Sequence, residues 1–157
     1  MAGTRFTLLT GTVAVVASTG KTMWQVLAPT NQMVRVERLR IFGLGSNSAD
    51  VPVQFDLLEQ STGGTMTALA VQAAIPCLRP LDSLSTLTLQ TTGSVNSTAE
   101  GTAGNVKYTF NVHPQSQVDF VFPIDRPFFI KQATRLALRV PGPGQNGNFN
   151  FLVEFEE

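Results

Sequence analysis

The chain has 157 residues, its eleven basic and eleven acidic side chains cancel, and charged residues make up only 14% of it. Globular proteins of ordinary composition carry about 25% charged residues, so this surface is unusually neutral. Because the net charge is zero, no long-range field would steer the protein toward nucleic acid, an anionic membrane or an acidic substrate. The apolar segments are all shorter than the ~18 residues of a membrane span. The length suits one domain with a sizeable core.

The sequence of the N-terminal segment allows two interpretations. Residues 5–17 join one basic residue to a mostly apolar run, which has a superficial likeness to a secretory signal. Thr7, Thr10, Gly11 and Thr12 interrupt this run. A β-strand explains such a composition better, because threonine is enriched in strands.

Apolar and polar side chains alternate with a period of two along most of the chain, as in strands with one buried face. The segments with this pattern are residues 22–27, 34–41, 51–57, 66–71, 106–112, 118–122, 136–140 and 149–155. Within 34–41, the two valines of 34–36 are out of phase by one residue with Leu39 and Ile41. A β-bulge at Glu37 and Arg38 would return both pairs to the core.

Turn signals divide these segments. Residues 141–144 (PGPG) predict a hairpin with a loose loop between the last two strands. Residues 91–105 (TTGSVNSTAEGTAGN) have only Val95 as an apolar partner and predict a long exposed loop. Helical periodicity is limited to single turns at 70–74 or 80–84.

The pattern as a whole predicts the fold class. Nine or ten short strands, with turn signals about every 8 to 12 residues, are typical of a two-sheet antiparallel sandwich. We therefore predict an all-β, jelly-roll-like sandwich with almost no helix, formed by residues 1–157 as a single domain.

Residue types needed for catalysis or metal binding are scarce. Cys77 and His113 are the single cysteine and the single histidine, and their flanking residues are not typical of a nucleophilic site. Zinc needs three or four such ligands. An oxygen-only calcium site stays open. Its candidate ligands are Asp50, Asp56, Glu59, Asp82, Asp119 and Asp125.

The triplet 20–22 (GKT) ends like a phosphate-binding loop, but Val15 stands where that motif requires a glycine. The sequence therefore predicts no catalytic residues, no cofactor, no metal and no small-molecule substrate. A small β-sandwich enzyme that uses Cys77 or His113 stays as an alternative.

Phe128 and Phe129 are adjacent in a strand-like segment, and adjacent side chains of a strand point to opposite faces. One of them is expected in the core and the other at the surface, as an interface candidate. A neutral, threonine-rich all-β chain is typical of a protein that packs against copies of itself or against a larger surface. The residues predicted at an oligomer or capsid interface are Thr4, Arg5, Phe6, Trp24, Phe128 and Phe129.

Two segments carry a family resemblance. Residues 25–50 have an Ala-Pro turn, an alternating apolar and basic strand, and a Gly/Ser-rich turn. Residues 123–157 have a Pro-x-x-Arg-Pro step, a strand ending in Leu-Ala-Leu-Arg-Val, and a closing aromatic strand that ends in Phe-Glu-Glu. Both resemble small jelly-roll proteins encoded among the virion structural genes of tailed bacteriophages, a group that includes capsid decoration, or cement, proteins.

The resemblance implies a non-enzymatic virion protein that is made in the host cytoplasm and binds the outer surface of the capsid. It implies a homo-oligomer, most commonly a trimer, that holds neighbouring capsomers together, with the major capsid protein as its other partner. Nucleic acid and membranes are not among the expected partners. The alternative is a carbohydrate- or receptor-binding sandwich of a phage fibre or tail accessory protein, with a ligand pocket around Trp24 or Tyr108.

Overall fold

The computed structural model describes residues 5–15, 20–45, 51–69, 92–142 and 146–156, which form eleven β-strands and no helix. In chain order the strands are β1 (Arg5–Val15), β2 (Lys21–Leu27), β3 (Val34–Gly43), β4 (Val53–Gln60), β5 (Thr65–Ala68), β6 (Thr92–Ala99), β7 (Ala103–Val112), β8 (Gln117–Val121), β9 (Phe128–Ile130), β10 (Arg135–Val140) and β11 (Gly147–Glu156). The helical turns predicted at 70–74 and 80–84 lie outside these residues. A search of the described residues finds no helix that is both long and apolar enough to span a membrane.

The strands form two antiparallel sheets. The five-stranded sheet has the order β1-β11-β3-β8, with β9 also paired to β3, and the six-stranded sheet has the order β5-β6-β2-β10-β4-β7. The first strand therefore pairs with the last, β2 with β10, β3 with β8, and β4 with β7, which is the nested pairing of a jelly roll. β5 and β6 extend one edge of the six-stranded sheet. The predicted all-β, jelly-roll-like sandwich is confirmed.

The core lies between the sheets, where their apolar faces meet. β11 contributes Phe149, Phe151, Val153 and Phe155, each at most 1% exposed. Phe55 of β4 packs against two of these rings, with centroids 4.9 Å from Phe149 and 5.5 Å from Phe151. Both contacts are edge-to-face, the arrangement that the ring quadrupole favours. The period-two alternation predicted for β11 is confirmed.

The β-bulge predicted in β3 is present at Glu37. Glu154 of β11 pairs with Arg38, whereas the next residue, Phe155, pairs with Val36, so the register skips Glu37. The bulge accommodates this extra residue, so the two parts of the strand present their apolar side chains to the same side. The apolar residues on both sides of the bulge are buried, namely Val34, Val36, Leu39 and Ile41.

The predicted hairpin between the last two strands is wrong. β10 pairs with β2 and β4 in one sheet, whereas β11 pairs with β1 and β3 in the other. The two strands therefore belong to different sheets and do not form a hairpin. Pro141 cannot donate a ladder hydrogen bond, and this arrangement lets β10 and β11 bury their apolar faces from opposite sides of one core.

The long loop predicted at 91–105 is also wrong. Residues 92–99 form β6, residues 103–105 begin β7, and only a short turn separates the two strands. Thr and Ser are compatible with strands when neighbouring strands supply the ladder, and β6 lies between β2 and β5. Ser97 is 4% exposed, so a polar side chain takes a buried position that an apolar pattern cannot reveal.

Candidate interaction surface

An aromatic seam closes the sandwich where the edge strands β7 and β8 of the two sheets come together. Its members are Tyr108, Phe110, Phe120, Phe122 and Phe128. Ring centroids lie 4.9 Å apart between Phe120 and Phe122, 5.1 Å between Tyr108 and Phe120, and 5.2 Å between Phe122 and Phe128. Phe122 is buried, whereas Tyr108 is 37% exposed. The aromatic seam thus extends the core to the surface, where Tyr108 contacts solvent.

The turn between β7 and β8 holds the seam in place. The Ser116 N–H donates to the carbonyl of His113 at 2.8 Å, and the Gly43 N–H donates to the carbonyl of Ser116 at 2.8 Å. A Cβ at Gly43 would lie 2.1 Å from the carbonyl oxygen of Pro114. Glycine is therefore required at this position of β3 so that the turn can pack against it.

Three exposed apolar side chains, which we call the edge patch, lie on the β8–β9 segment beside the seam: Val121 in β8, Ile124 in the turn that follows and Phe129 in β9. Their exposed fractions are 60%, 79% and 41%. Val121 and Phe129 alternate with seam residues along β8 and β9, so they point to the outer face of the five-stranded sheet. Phe128 packs against the core, and the prediction that the two phenylalanines face opposite ways is confirmed.

An ion-pair ladder crosses the outer face of the same sheet. Its members are Arg35, Arg38, Arg40, Asp119, Glu154 and Glu156. The Nε of Arg38 donates to Oδ1 of Asp119 at 2.7 Å, and the Nε of Arg40 donates to Oδ2 at 3.1 Å. The hydrogen bond from Arg38 is the main cause that lowers the pKa of Asp119 to about 2. Because these charges neutralise one another locally, the face exerts little long-range attraction.

A partly buried polar cluster fastens the β6–β7 turn to β2. The carboxylate of Glu100 accepts hydrogen bonds from the Thr22 N–H at 2.8 Å, from the Thr22 hydroxyl at 2.7 Å and from the Ser97 hydroxyl. The Nε of Arg139 lies 3.5 Å from this carboxylate. Burial raises the pKa of Glu100, but the bonds from Ser97 and Thr22 and the charge of Arg139 outweigh it, so the pKa is below its ordinary value.

The structure separates the six residues predicted at an interface. Trp24 is 0% exposed and belongs to the core, so its prediction as an interface residue is wrong. The reason is that its side chain takes the inward phase of β2. Arg5 and Phe6 lie in β1, paired with Glu156 and Phe155, and Thr4 lies outside the described residues.

The edge patch contains residues that the sequence analysis missed. Val121 follows the outward phase of the alternation in 118–122, so its exposure was readable from the pattern. Ile124 lies in the turn after β8, where no periodicity assigns a face. Phe129 is exposed as expected, and its role in an interface stays a prediction.

Among the residues that the structure describes, those with catalytic or metal-binding potential do not form a metal site. His113 is half-buried, and its Nδ1 accepts a hydrogen bond from the Gln115 N–H at 3.2 Å. Within the described ranges, no group of three or more His, Cys, Asp or Glu side chains could hold a metal ion. Cys77, Asp50 and Asp82 lie outside those ranges.

Comparisons of the chain with protein-family models, with curated proteins and with solved structures found no match. The grounds for a function are therefore the strand order and the outer surface of the described residues.

Proposed function

We propose that the chain is a non-enzymatic structural protein of a virion. It is a capsid decoration, or cement, protein that binds the outer capsid surface as an oligomer and stabilises contacts between capsomers. We expect the oligomer to be a trimer. Its partners are further copies of itself and the major capsid protein. The observation that carries this proposal is the edge patch on a jelly-roll sandwich.

The edge patch has the composition of an interface centre. Aromatic side chains are enriched where proteins meet, and charged side chains are depleted at the centre of such contacts. Phe129 supplies an aromatic anchor, and Val121 and Ile124 on the same segment add further exposed apolar side chains. Exposed apolar groups of this kind are typical of association sites.

The neighbouring ion-pair ladder suits the rim of the same contact. Arg38 and Arg40 share the carboxylate of Asp119, so their charges are already paired before a partner arrives. Burying paired charges costs less than burying isolated ones. A face with paired charges favours partners of complementary shape. When several subunits of one oligomer bind the capsid at the same time, their weak contacts together give stable attachment.

Light scattering of the purified chain at several concentrations tests the oligomer. We expect a trimer for the wild type and a shift to monomer in Phe129→Glu, because a charge cannot be buried unpaired in the contact. Val51→Glu is the matched control, since Val51 is 51% exposed and lies outside the edge patch. A wild-type monomer at every concentration would contradict the oligomer.

Sedimentation with expanded capsid particles that lack a decoration protein tests the capsid contact. The wild type should pellet with the particles in a saturable manner, and Phe129→Glu should stay in the supernatant. If the wild type stays in the supernatant at every particle concentration, the capsid-binding proposal is wrong and the carbohydrate-binding alternative is favoured.

A further inference from the structure

We infer that a cleft on the outer face of the six-stranded sheet binds a hexuronic acid, that is, a single sugar ring bearing a carboxylate. The cleft has a volume of about 260 Å³ and lies among β2, β5, β6 and the start of β10. It is remote from the edge patch, which lies on the other sheet, so this inference does not depend on the capsid proposal.

Arg135 supplies the charge that recognises the carboxylate. Its guanidinium lines the cleft and donates a single long hydrogen bond, from Nη1 to the Ser61 carbonyl at 3.4 Å. No described carboxylate lies within ion-pair distance of it, in contrast to Arg35, Arg38, Arg40 and Arg139. A planar guanidinium with free N–H groups matches the two oxygens of a carboxylate.

Glycine shapes the wall beside this arginine. A Cβ at Gly63 would lie 3.0 Å from the Nε of Arg135, tighter than an ordinary contact. Without that Cβ the guanidinium can lie against the β4–β5 connection. Gly63 and Gly64 both line the cleft, so these two residues add no side chain to this part of the wall.

The remaining lining residues suit a sugar ring rather than a bare anion. Gln25 is only 5% exposed, lines the cleft, and is held in place because its Nε2 donates to Oε1 of Gln60. The Ser94 hydroxyl donates only to the Sδ of Met66, at 3.5 Å, and thioether sulfur is a weak acceptor. It is therefore available to a ligand hydroxyl. Leu27 and Met66 offer apolar contact to the carbon face of a ring.

The experiment is an NMR titration of the full chain at neutral pH with three probes. D-glucuronate carries both the ring and the charge, D-glucose carries the ring alone, and acetate carries the charge alone. We expect saturable shifts of the Gly93 and Ser94 amides with glucuronate and at least about tenfold weaker binding of the other two probes. Equal binding of glucose or of acetate, or no binding of glucuronate, would overturn the inference.

Variants locate the site. Arg135→Gln should weaken glucuronate binding by at least about tenfold, and Ser94→Ala should weaken it several-fold. Arg126→Gln is the matched control, because Arg126 is exposed in the β8–β9 turn and does not line the cleft. Loss of binding in Arg126→Gln, or wild-type binding in a folded Arg135→Gln, would refute the assignment. If Arg135→Gln does not fold, Ser94→Ala and the probe series decide the question.

Discussion

The side chain of Glu100 makes stability depend on pH. Its folded-state pKa lies below the ordinary value of 4.5, so its contribution to the free energy of unfolding is complete above about pH 5 and is lost as the pH falls through the folded-state pKa. We expect Glu100→Gln to lower this free energy by about 1–2 kcal/mol at neutral pH, a modest value because the side chain is partly solvated. Urea unfolding at about pH 7 and about pH 3 should show the difference between variant and wild type shrinking with acid.

Glu59→Gln is the control for that experiment. The side chains of Glu59 and Glu100 are both 29% exposed, and each lies 3.5 Å from a cation, Lys107 and Arg139 respectively. Only Glu100 also accepts hydrogen bonds from Thr22 and Ser97. Equal losses of stability in the two variants would mean that the ion pair, and not the hydrogen-bonded cluster, supports the β6–β7 turn.

Among the strands, β3 contains one inserted residue. Deleting Glu37 would leave Val-Arg-Val-Arg-Leu-Arg-Ile, in which the apolar residues alternate regularly and can all stay in the core without a bulge. The deletion removes the carbonyl that accepts the Phe122 N–H, so we expect a loss of only about 0.5–1.5 kcal/mol in the free energy of unfolding. Chemical denaturation followed by circular dichroism measures it.

Glu37→Ala separates the side chain of Glu37 from its place in the backbone. The Glu37 carbonyl still accepts the Phe122 N–H, at 2.9 Å, and the bulge keeps its length. We expect this substitution to change stability by no more than about 0.5–1 kcal/mol. A deletion variant much less stable than Glu37→Ala would contradict this expectation and show that the sheets need the bend that the bulge introduces.

Strands with one buried face could be predicted from the sequence, and so could the bulge in β3. Along β11, and on each side of the bulge in β3, every second side chain is buried. An alternating sequence pattern indicates which apolar side chains are buried, so it predicts strands of this kind. The same logic assigned Phe128 and Phe129 to opposite faces. It did not find β6, because Ser97 is buried through hydrogen bonds to Thr22 and Glu100, and hydrogen bonding leaves no apolar alternation.

Strand pairing and surface sites were harder to predict from the sequence, because periodicity shows which face of a strand is buried but not which strand lies beside it. The 141–144 segment follows β10, and nothing in its composition distinguishes a hairpin from a crossing between sheets. Trp24 was misassigned because a lone large aromatic side chain suits a core and an interface equally well. Arg135 gave no signal, since the distance to every carboxylate depends on the tertiary fold.

At the scale of the whole molecule, the nested strand order makes the contacts long-range. Arg5 in β1 pairs with Glu156 in β11, and Leu27 in β2 pairs with Arg135 in β10. Such pairings must be formed against a large loop-closure entropy, and proteins dominated by them fold slowly. The two ends of the described chain consequently lie side by side in the five-stranded sheet.

A circular permutant tests whether this topology limits the folding rate. Joining residue 157 to residue 1 by a short Gly-Ser linker, and opening the chain between Ile124 and Asp125, makes the β1–β11 pairing local. Both residues at the new ends are exposed, so the native sheets should be retained. We expect refolding to be about tenfold faster, as measured by stopped-flow fluorescence of Trp24, the single and fully buried tryptophan. A folded permutant that refolds at the wild-type rate would place the rate-limiting step elsewhere, in pairings such as β4 with β7 that the permutation leaves unchanged.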